Sequence, residues 1–316
     1  MVRQSKEIHP DLHKLFHFTA ARPSREAGWL PTEDDYGLLV GSRGQPRLFL
    51  GYYDQDMIEA KLRQFGITER LETQGFHNIT VSIDTRQEDR QRLIICDGEL
   101  TRANLLAEVA LTVGDFMPQT IANPHLCNRV FRMLYIQWLC LQNPRASFTP
   151  QRPALPGQRH PGLKVGAIVA HLFERIASRL ELDGIISIPE YIHNAILYSR
   201  RFRFFNPVVE GRLKALTRDL KDLPLSTVSF GVETGCVIDA NTGQALEGMH
   251  EEQVFPRHIN FRRYFASRHY QESMASTADQ VRYVFDAQRY NQEQPLRDDG
   301  FPAKPPEDDC CRGLFD

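Results

Sequence analysis

The sequence lacks long apolar runs, and its few cysteines are scattered. No run of about 18 apolar residues occurs, so we expect no membrane span, and residues 1–7 lead into no apolar signal core, so we expect a cytoplasmic protein. The six cysteines make no CxxC pair, which favours a reducing compartment without a required disulfide. The net charge of −2 lacks the basic surplus of a general nucleic-acid-binding protein and argues against a nucleic-acid partner.

Acidic residues are missing from one long interval. From Phe116 to Phe173 there is no Asp or Glu, although 40 of the 316 residues are acidic. The interval instead carries the basic residues Arg129, Arg132, Arg145, Arg152, Arg159 and Lys164, with His125, His160 and His171. A locally positive segment in a near-neutral chain favours a negatively charged ligand. A buried apolar segment that avoids carboxylates would explain the missing acids, but not the arginines.

The clearest helical pattern begins inside this interval, after Pro161. Its apolar positions are Val165, Ile168, Val169, Leu172, Ile176 and Leu180. Proline fixes φ and has no amide N–H, and the first turn of a helix needs no amide donor, so Pro161 suits the start of a helix. The first turn would then combine unpaired amides, Gly162 and the cations Arg159 and Lys164, which describes an anion site. The alternative is an ordinary helix start with solvated basic residues.

Apolar periodicity predicts alternating strands and helices along most of the chain. Strands are predicted over 35–40, 46–53, 78–85, 92–97, 105–113, 184–189, 226–231 and 235–239. Helices are predicted over 55–65, 67–74, 190–201, 210–220 and 261–273. The bulky segment 131–141 fits a buried strand or a helix, and its aromatic content favours the strand.

We expect one main α/β domain over 35–249, interrupted by a proline-rich insertion at 143–161. A docking segment over 1–34 precedes it, and His9, His13 and His17 within that segment share a helix face better suited to docking than to metal. A helical extension over 250–290 and an acidic, proline-rich tail over 291–316 follow. The alternative division cuts the chain near Asn143 into two domains.

The order strand, anion loop, helix, strand and helix over 131–205 resembles the GNAT superfamily of N-acyltransferases. That family has Arg/Gln-x-x-Gly-x-Gly/Ala after its fourth strand, opening a helix whose amides hold the pyrophosphate of coenzyme A. Here 159–164 matches at Arg159 and Gly162, while Lys164 replaces the second small residue. The family's next helix carries an Asn and a Tyr, which Asn194 and Tyr198 match.

The resemblance implies a GNAT-like mixed central sheet flanked by helices. It implies acyl-CoA, acetyl-CoA or longer, as co-substrate, an acyl carrier protein as a possible alternative donor, and a small-molecule or peptide amine as acceptor, with no metal. Tyr198 would protonate the departing thiolate and Asn194 would orient it or the cofactor. The predicted cofactor-binding residues are Arg159, Gly162, Leu163, Lys164, Val165 and Gly166. The general base stays open among Asp97, Glu99 and Glu108, with Glu190 and His193 as further candidates.

The alternative function is a non-catalytic GNAT-like module that binds an anionic ligand or a protein partner. The degenerate signature favours this module, whereas the acid-free interval suits an anionic ligand under either hypothesis.

Overall fold

The computed structural model describes residues 48–118, 126 and 129–292 of the chain. Helices α1 to α9 span Gln55–Gln64, Ile67–Glu72, Gly166–Arg179, Ile192–Tyr198, Pro207–Asp219, Leu225–Glu233, Ile259–Ala266, Arg268–Gln280 and Ala287–Gln292. Strands β1 to β9 span Ile79–Asp84, Gln91–Asp97, Leu105–Phe116, Phe131–Leu141, Gly184–Ser187, Arg203–Phe204, Val237–Asp239, Gln253–Pro256 and Tyr283–Phe285. Among these helices, none has the length and apolar character needed to cross a membrane.

Seven of the described strands form one mixed sheet in the order β1-β2-β3-β4-β5-β8-β6. Strands β1 to β4 are antiparallel neighbours, β4 and β5 are parallel, and β8 runs antiparallel to both β5 and β6. A parallel pair needs a crossover connection, and α3 lies in the one between β4 and β5. The predicted α/β fold with a mixed central sheet flanked by helices is therefore confirmed.

Local sequence explains the elements that precede and begin the sheet. Asp54 caps α1 by accepting a hydrogen bond from the amide of Met57 at 2.7 Å. Gly66, with φ of 70°, separates α1 from α2. The predicted hairpin is formed by β1 and β2, and Arg86 in its turn pairs with Asp84 at the end of β1.

The apolar side chains of the described residues pack in three clusters. The first lies between one face of β1–β5 and helices α1, α2 and α3. The second joins α4, α5 and α6 to the small sheet of β7 and β9. The third packs α7 and α8 against β4, β5 and β8. Helices α7 and α8, which follow β6, are thus tied to the sheet by the third cluster.

Several boundaries differ from the sequence prediction. Residues 48–53 form a turn closed by a bridge between Phe49 and Tyr53, not a strand. The predicted strand over 226–231 is wrong, because α6 spans it. The predicted helix over 261–273 is divided at Ser267, whose side chain caps α8. The predicted extension over 250–290 contains α7, α8 and most of α9, and also β9 and β8, of which β8 lies within the main sheet.

Other predictions fall outside the described residues. These are the docking segment over 1–34 with its three histidines, the strand over 35–40, and nearly all of the tail over 291–316.

Candidate functional site

Pairing between the two parallel strands β4 and β5 stops halfway along β4. The ladder ends where Ile136 of β4 meets Ser187, the last residue of β5. On its other side β4 stays paired with β3 to its end. Residues 137–141 thus have no strand partner on the β5 side within the described part of the chain. We call residues 137–141 and 187–191 the β4–β5 junction.

A β-bulge marks the start of this junction. Ala110 of β3 pairs with Trp138, and the next residue, Leu111, pairs with Ile136, so Gln137 is an extra residue in β4. Bulges bend a strand and are over-represented next to active sites. Beyond the bulge, alternate residues of β4 direct their backbone groups toward the β5 side. This edge therefore offers backbone donors of the kind that stabilise an oxyanion.

Buried polar atoms without partners lie around the junction. Ser187 is 1% exposed, and the fully buried Gln253 lies directly opposite it on β8. Ser187 Oγ, Gln253 Oε1 and Trp138 Nε1 have no hydrogen-bond partner among the described residues. An unsatisfied buried polar atom costs about 1–3 kcal/mol, so such atoms are normally satisfied by water or a ligand.

Helix α4 carries both predicted catalytic residues over this part of the sheet. Gln253 Nε2 donates to the carbonyl of Ala195 at 3.1 Å, so α4 lies on the sheet face that bears Gln253 and Ser187. Asn194 is fully buried and Tyr198 is 5% exposed. Tyr198 belongs to the apolar cluster that includes the paired ends of β4 and β5. Burial raises the pKa of Tyr198, so its hydroxyl keeps its proton at neutral pH.

The proline-rich insertion between β4 and α3 forms a closed loop. The amide of Asn143 donates to the carbonyl of Pro161 at 2.6 Å and joins the two ends of the loop. Near its start, Arg145 pairs with Asp97 of β2 and lies over the ring of Phe76, with its Cζ 4.8 Å from the ring centroid. These contacts fix the insertion to the body of the protein.

The far side of this loop reaches the junction. Gly157 approaches Tyr191, just before α4, so closely that a Cβ at residue 157 would lie 2.6 Å from the tyrosine ring. Gly157 also has φ of 76°, a conformation that favours glycine. The insertion therefore connects the end of β4 with the segment that follows β5.

The predicted anion site lies at the start of α3, which begins at Gly166 and not directly after Pro161. Lys164 has φ of 59°, a left-handed conformation that costs a residue with a side chain about 1–2 kcal/mol. The amides of Lys164, Gly166 and Ala167 donate no hydrogen bond to any of the described residues. Successive free amides at a left-handed residue form a concavity that suits an anion.

The predicted cofactor-binding residues divide into exposed cations and backbone positions. The side chains of Arg159 and Lys164 are exposed, whereas Gly162 and Gly166 are buried. Leu163 and Val165 are buried too, and both line an apolar cavity of about 70 Å³ beneath α3. At these four buried positions only the backbone can meet an anion. 

The positive region extends beyond the start of α3. Burial lowers the pKa of His160, and the charge of Arg102 lowers it further, so this imidazole is neutral at pH 7. The cationic contribution at this point of the loop comes from Arg102 and the neighbouring Arg159, not from the histidine.

The three candidates for the general base that lie on or near the strands have different surroundings. Asp97 is held by Arg145 from the insertion, and Glu99 is exposed. Glu108 is buried in an ion pair with Arg92 and lies opposite Cys140 of the junction. Of the three, Glu108 is thus the one whose strand partner belongs to the junction, but its pairing with a guanidinium suits a charged structural role.

The sequence analysis did not identify the polar residues of the junction, Ser187 and Gln253, as site residues. Ser187 interrupts the apolar run Gly184–Ile188, and this interruption was the available signal. Gln253 gave no signal, because its position opposite Ser187 depends on a long-range strand pairing. 

No group of three or more His, Cys, Asp or Glu residues that could hold a metal ion occurs in the part of the chain that the structure describes. Comparisons with family models, with curated proteins and with solved structures found no match for this chain.

Proposed function

We propose that this protein is a cytoplasmic N-acyltransferase of the GNAT type, which transfers an acyl group from a coenzyme A thioester, or a carrier-protein thioester, to an amine. The observation that carries the proposal is the β4–β5 junction, with its unpaired strand edge and buried polar atoms. The loop after this fourth strand of the sheet leads to the open amides of α3. That is the order expected from the family resemblance.

In this proposal the diphosphate of coenzyme A binds at the first turn of α3. The free amides supply donors, and Lys164 and Arg159 supply positive charge. The segment that leads into α3 lies near the end of β4 that the junction occupies, because the amide of Asn143 donates to the carbonyl of Pro161. The pantetheine arm would run from there along residues 137–141 and satisfy the exposed edge of the strand.

The chemistry then uses groups at the junction. The amine nitrogen forms a bond to the thioester carbonyl carbon, and backbone amides of β4 stabilise the oxyanion. When the carbon–sulfur bond breaks, the thiolate takes the proton of the Tyr198 hydroxyl. The surplus proton of the amine passes through a base to restore the phenol, leaving an amide and a free thiol. Burial raises the pKa of Tyr198, which keeps the phenol protonated at neutral pH.

A non-catalytic module is the second candidate, and two observations favour it. Tyr198 is packed within the main apolar cluster, and Gly157 of the insertion packs against Tyr191 at the junction. If this contact keeps a thioester out, the start of α3 would still bind an anionic ligand without turnover.

Thermal denaturation with coenzyme A, acetyl-CoA and longer acyl-CoAs tests the binding step. A ligand at 100 times its Kd adds about 2.7 kcal/mol of stability, which raises the Tm by a few degrees. Arg159→Gln and Lys164→Gln should reduce the shift, whereas Lys221→Gln, an exposed cation after α5, should not. Absence of a shift with every acyl-CoA would overturn the proposal.

Tyr198→Phe tests the chemical step. We expect kcat to fall about 100-fold or more because the general acid is lost, while the Kd for coenzyme A changes less than about twofold. Tyr264→Phe is the matched control, because it removes a buried hydroxyl that donates to the carbonyl of Phe205 at 2.8 Å, outside the junction. Equal loss of turnover in both variants, or in neither, contradicts the acid role.

A further inference from the structure

A cavity of about 330 Å³ lies in the part of the protein that follows β6. It is bounded by α5, by the ends of β7 and β9, and by the loop over 240–251. Its volume is at the lower end of the range for small-molecule sites, which is roughly 300–1,000 Å³. None of the residues predicted from the sequence to bind or react lines it, so it is a separate site.

Charges of both signs line this cavity. Arg212 comes from α5, Asp239 ends β7, and Glu247 and Glu251 come from the loop. Arg212 makes no ion pair with another described residue, although several carboxylates share the cavity with it. A lining with one guanidinium and several carboxylates suits a ligand that is itself both anionic and cationic.

Tyr283 places two of these charges near one another. Tyr283 belongs to the cavity lining, and burial raises its pKa to about 12. The charge of Arg212 lowers this pKa, whereas the charges of Asp239 and Asp219 raise it. A small ligand in the cavity would therefore lie among charges of both signs.

The cavity also lies beside the β4–β5 junction. Its loop wall leads into β8, whose first residue, Gln253, pairs with Ser187 at the end of β5. His250 in the same wall makes a hydrogen bond through Nδ1 to the carbonyl of Pro189 at 3.1 Å. Pro189 belongs to the junction, so this contact links the cavity wall to the proposed site of acyl transfer.

We propose that this cavity binds a small zwitterionic amine of the α-amino acid type. Arg212 receives the carboxylate, and Glu247 and Glu251 receive the ammonium group. A purely cationic polyamine would place positive charge against Arg212, and a purely anionic ligand would face Asp239, Glu247 and Glu251. The further role of this ligand as the amine acceptor rests on the proposed acyltransferase function, whereas its binding does not.

Isothermal titration calorimetry with the full-length protein tests the binding. The probes are the twenty common L-amino acids at millimolar concentration, followed by the amine and the carboxylic acid that correspond to the best ligand. We expect at least one amino acid to bind, and both truncated counterparts to bind about tenfold more weakly or worse, because each has lost one charged contact.

Substitutions in the cavity locate the site. Arg212→Gln and the double variant Glu247→Gln/Glu251→Gln should each weaken binding about tenfold or more. Lys221→Gln and Asp222→Asn are the controls, because each removes one exposed charge of the same sign outside the cavity. The circular dichroism spectrum of every variant confirms that it is folded.

The outcomes separate this proposal from the acyltransferase function. Binding of no amino acid, binding unchanged in the cavity variants, or tighter binding of the decarboxylated amine would each overturn the zwitterion site. If an amino acid binds in the cavity but no acyl-CoA binds to the protein, the zwitterion site is supported and the proposed transfer reaction is contradicted.

Discussion

His193 is a fully buried histidine on α4, next to the predicted catalytic Asn194. Its Nδ1 lies 2.8 Å from Ser229 Oγ on α6, and its ring stacks on Tyr191 with centroids 5.5 Å apart. Burial lowers the pKa of His193 to about 3, so the imidazole is neutral in the folded protein. The pair with Ser229 joins α4 to α6 beside the second apolar cluster, so we assign this histidine a structural role.

This histidine should make stability depend on pH. Unfolded, it titrates near 6.5, so between pH 6.5 and 3 the unfolded chain binds a proton that the folded protein does not. The free energy of unfolding therefore rises with pH in this window. As the pH falls below 6.5, this contribution to stability decreases by at most about 1.4 kcal/mol per pH unit. Urea unfolding from pH 7.5 to 5 measures the slope.

His193→Gln should flatten that slope, because an amide can keep the hydrogen bond to Ser229 without titrating. His77→Gln is the control, since His77 is exposed on the loop before β1. If both variants keep the slope of the unsubstituted protein, the titration belongs to other groups.

Gly157 determines how the insertion element meets the rest of the protein. Its positive φ and its close approach to the Tyr191 ring both exclude a side chain. Gly243 has a similar φ of 71°, but an added Cβ there would meet nothing within 4 Å. The two glycines therefore separate the effect of backbone conformation from the effect of contact.

We expect Gly157→Ala to lower the free energy of unfolding by about 2–4 kcal/mol, as the sum of a conformational and a steric penalty. Gly243→Ala should lower it by about 1 kcal/mol, because it carries the conformational penalty alone. Urea denaturation of both variants measures the difference. Equal losses would mean that the insertion moves freely away from Tyr191.

Elements whose local pattern agrees with their packing could be predicted from sequence. The aromatic residues over 131–141 predicted β4, and the charged run between two alternating segments predicted the β1–β2 hairpin. The segment 226–231 failed because its β-branched residues favour a strand locally. In the fold, Val228 and Val232 lie four residues apart on one face of α6 and pack into the second cluster, so tertiary packing decides the outcome.

The start of α3 shows why the site was only partly predictable. Pro161, Gly162 and Leu163 stay outside the helix because their carbonyl groups accept hydrogen bonds from Asn143, Arg152 and Gln74, respectively. These partners are distant in sequence, so no local signal placed the boundary. The charged cavity was not predictable either, since its walls come from α5, β7, β9 and a loop.

At the scale of the whole molecule, α8 joins the sheet to the helices that follow β6. Tyr270 of α8 donates to the carbonyl of Phe204 in β6 at 2.6 Å, and Met274 belongs to the cluster on β4, β5 and β8. On its other side α8 packs against α5 at Gly211, where an added Cβ would lie 2.6 Å from the carbonyl oxygen of Met274. The close approach of these two helices therefore requires glycine at residue 211.

Gly211→Ala should destabilise the sheet as well as the helices. We expect a loss of about 1–3 kcal/mol from overpacking, and a single unfolding transition. In a Trp29→Phe background, Trp138 is the remaining tryptophan and reports on β4, while far-ultraviolet circular dichroism reports mainly on the helices. Both midpoints in urea should fall by the same amount, because α5 and α6 lie in the chain between β6 and β8, and both of these strands pair within the sheet.

The control is Lys214→Ala, at an exposed position of α5, which should leave both midpoints nearly unchanged. A lower midpoint by circular dichroism with an unchanged midpoint by fluorescence would mean that the helices after β6 unfold separately. The charged cavity would then open while the β4–β5 junction stays folded.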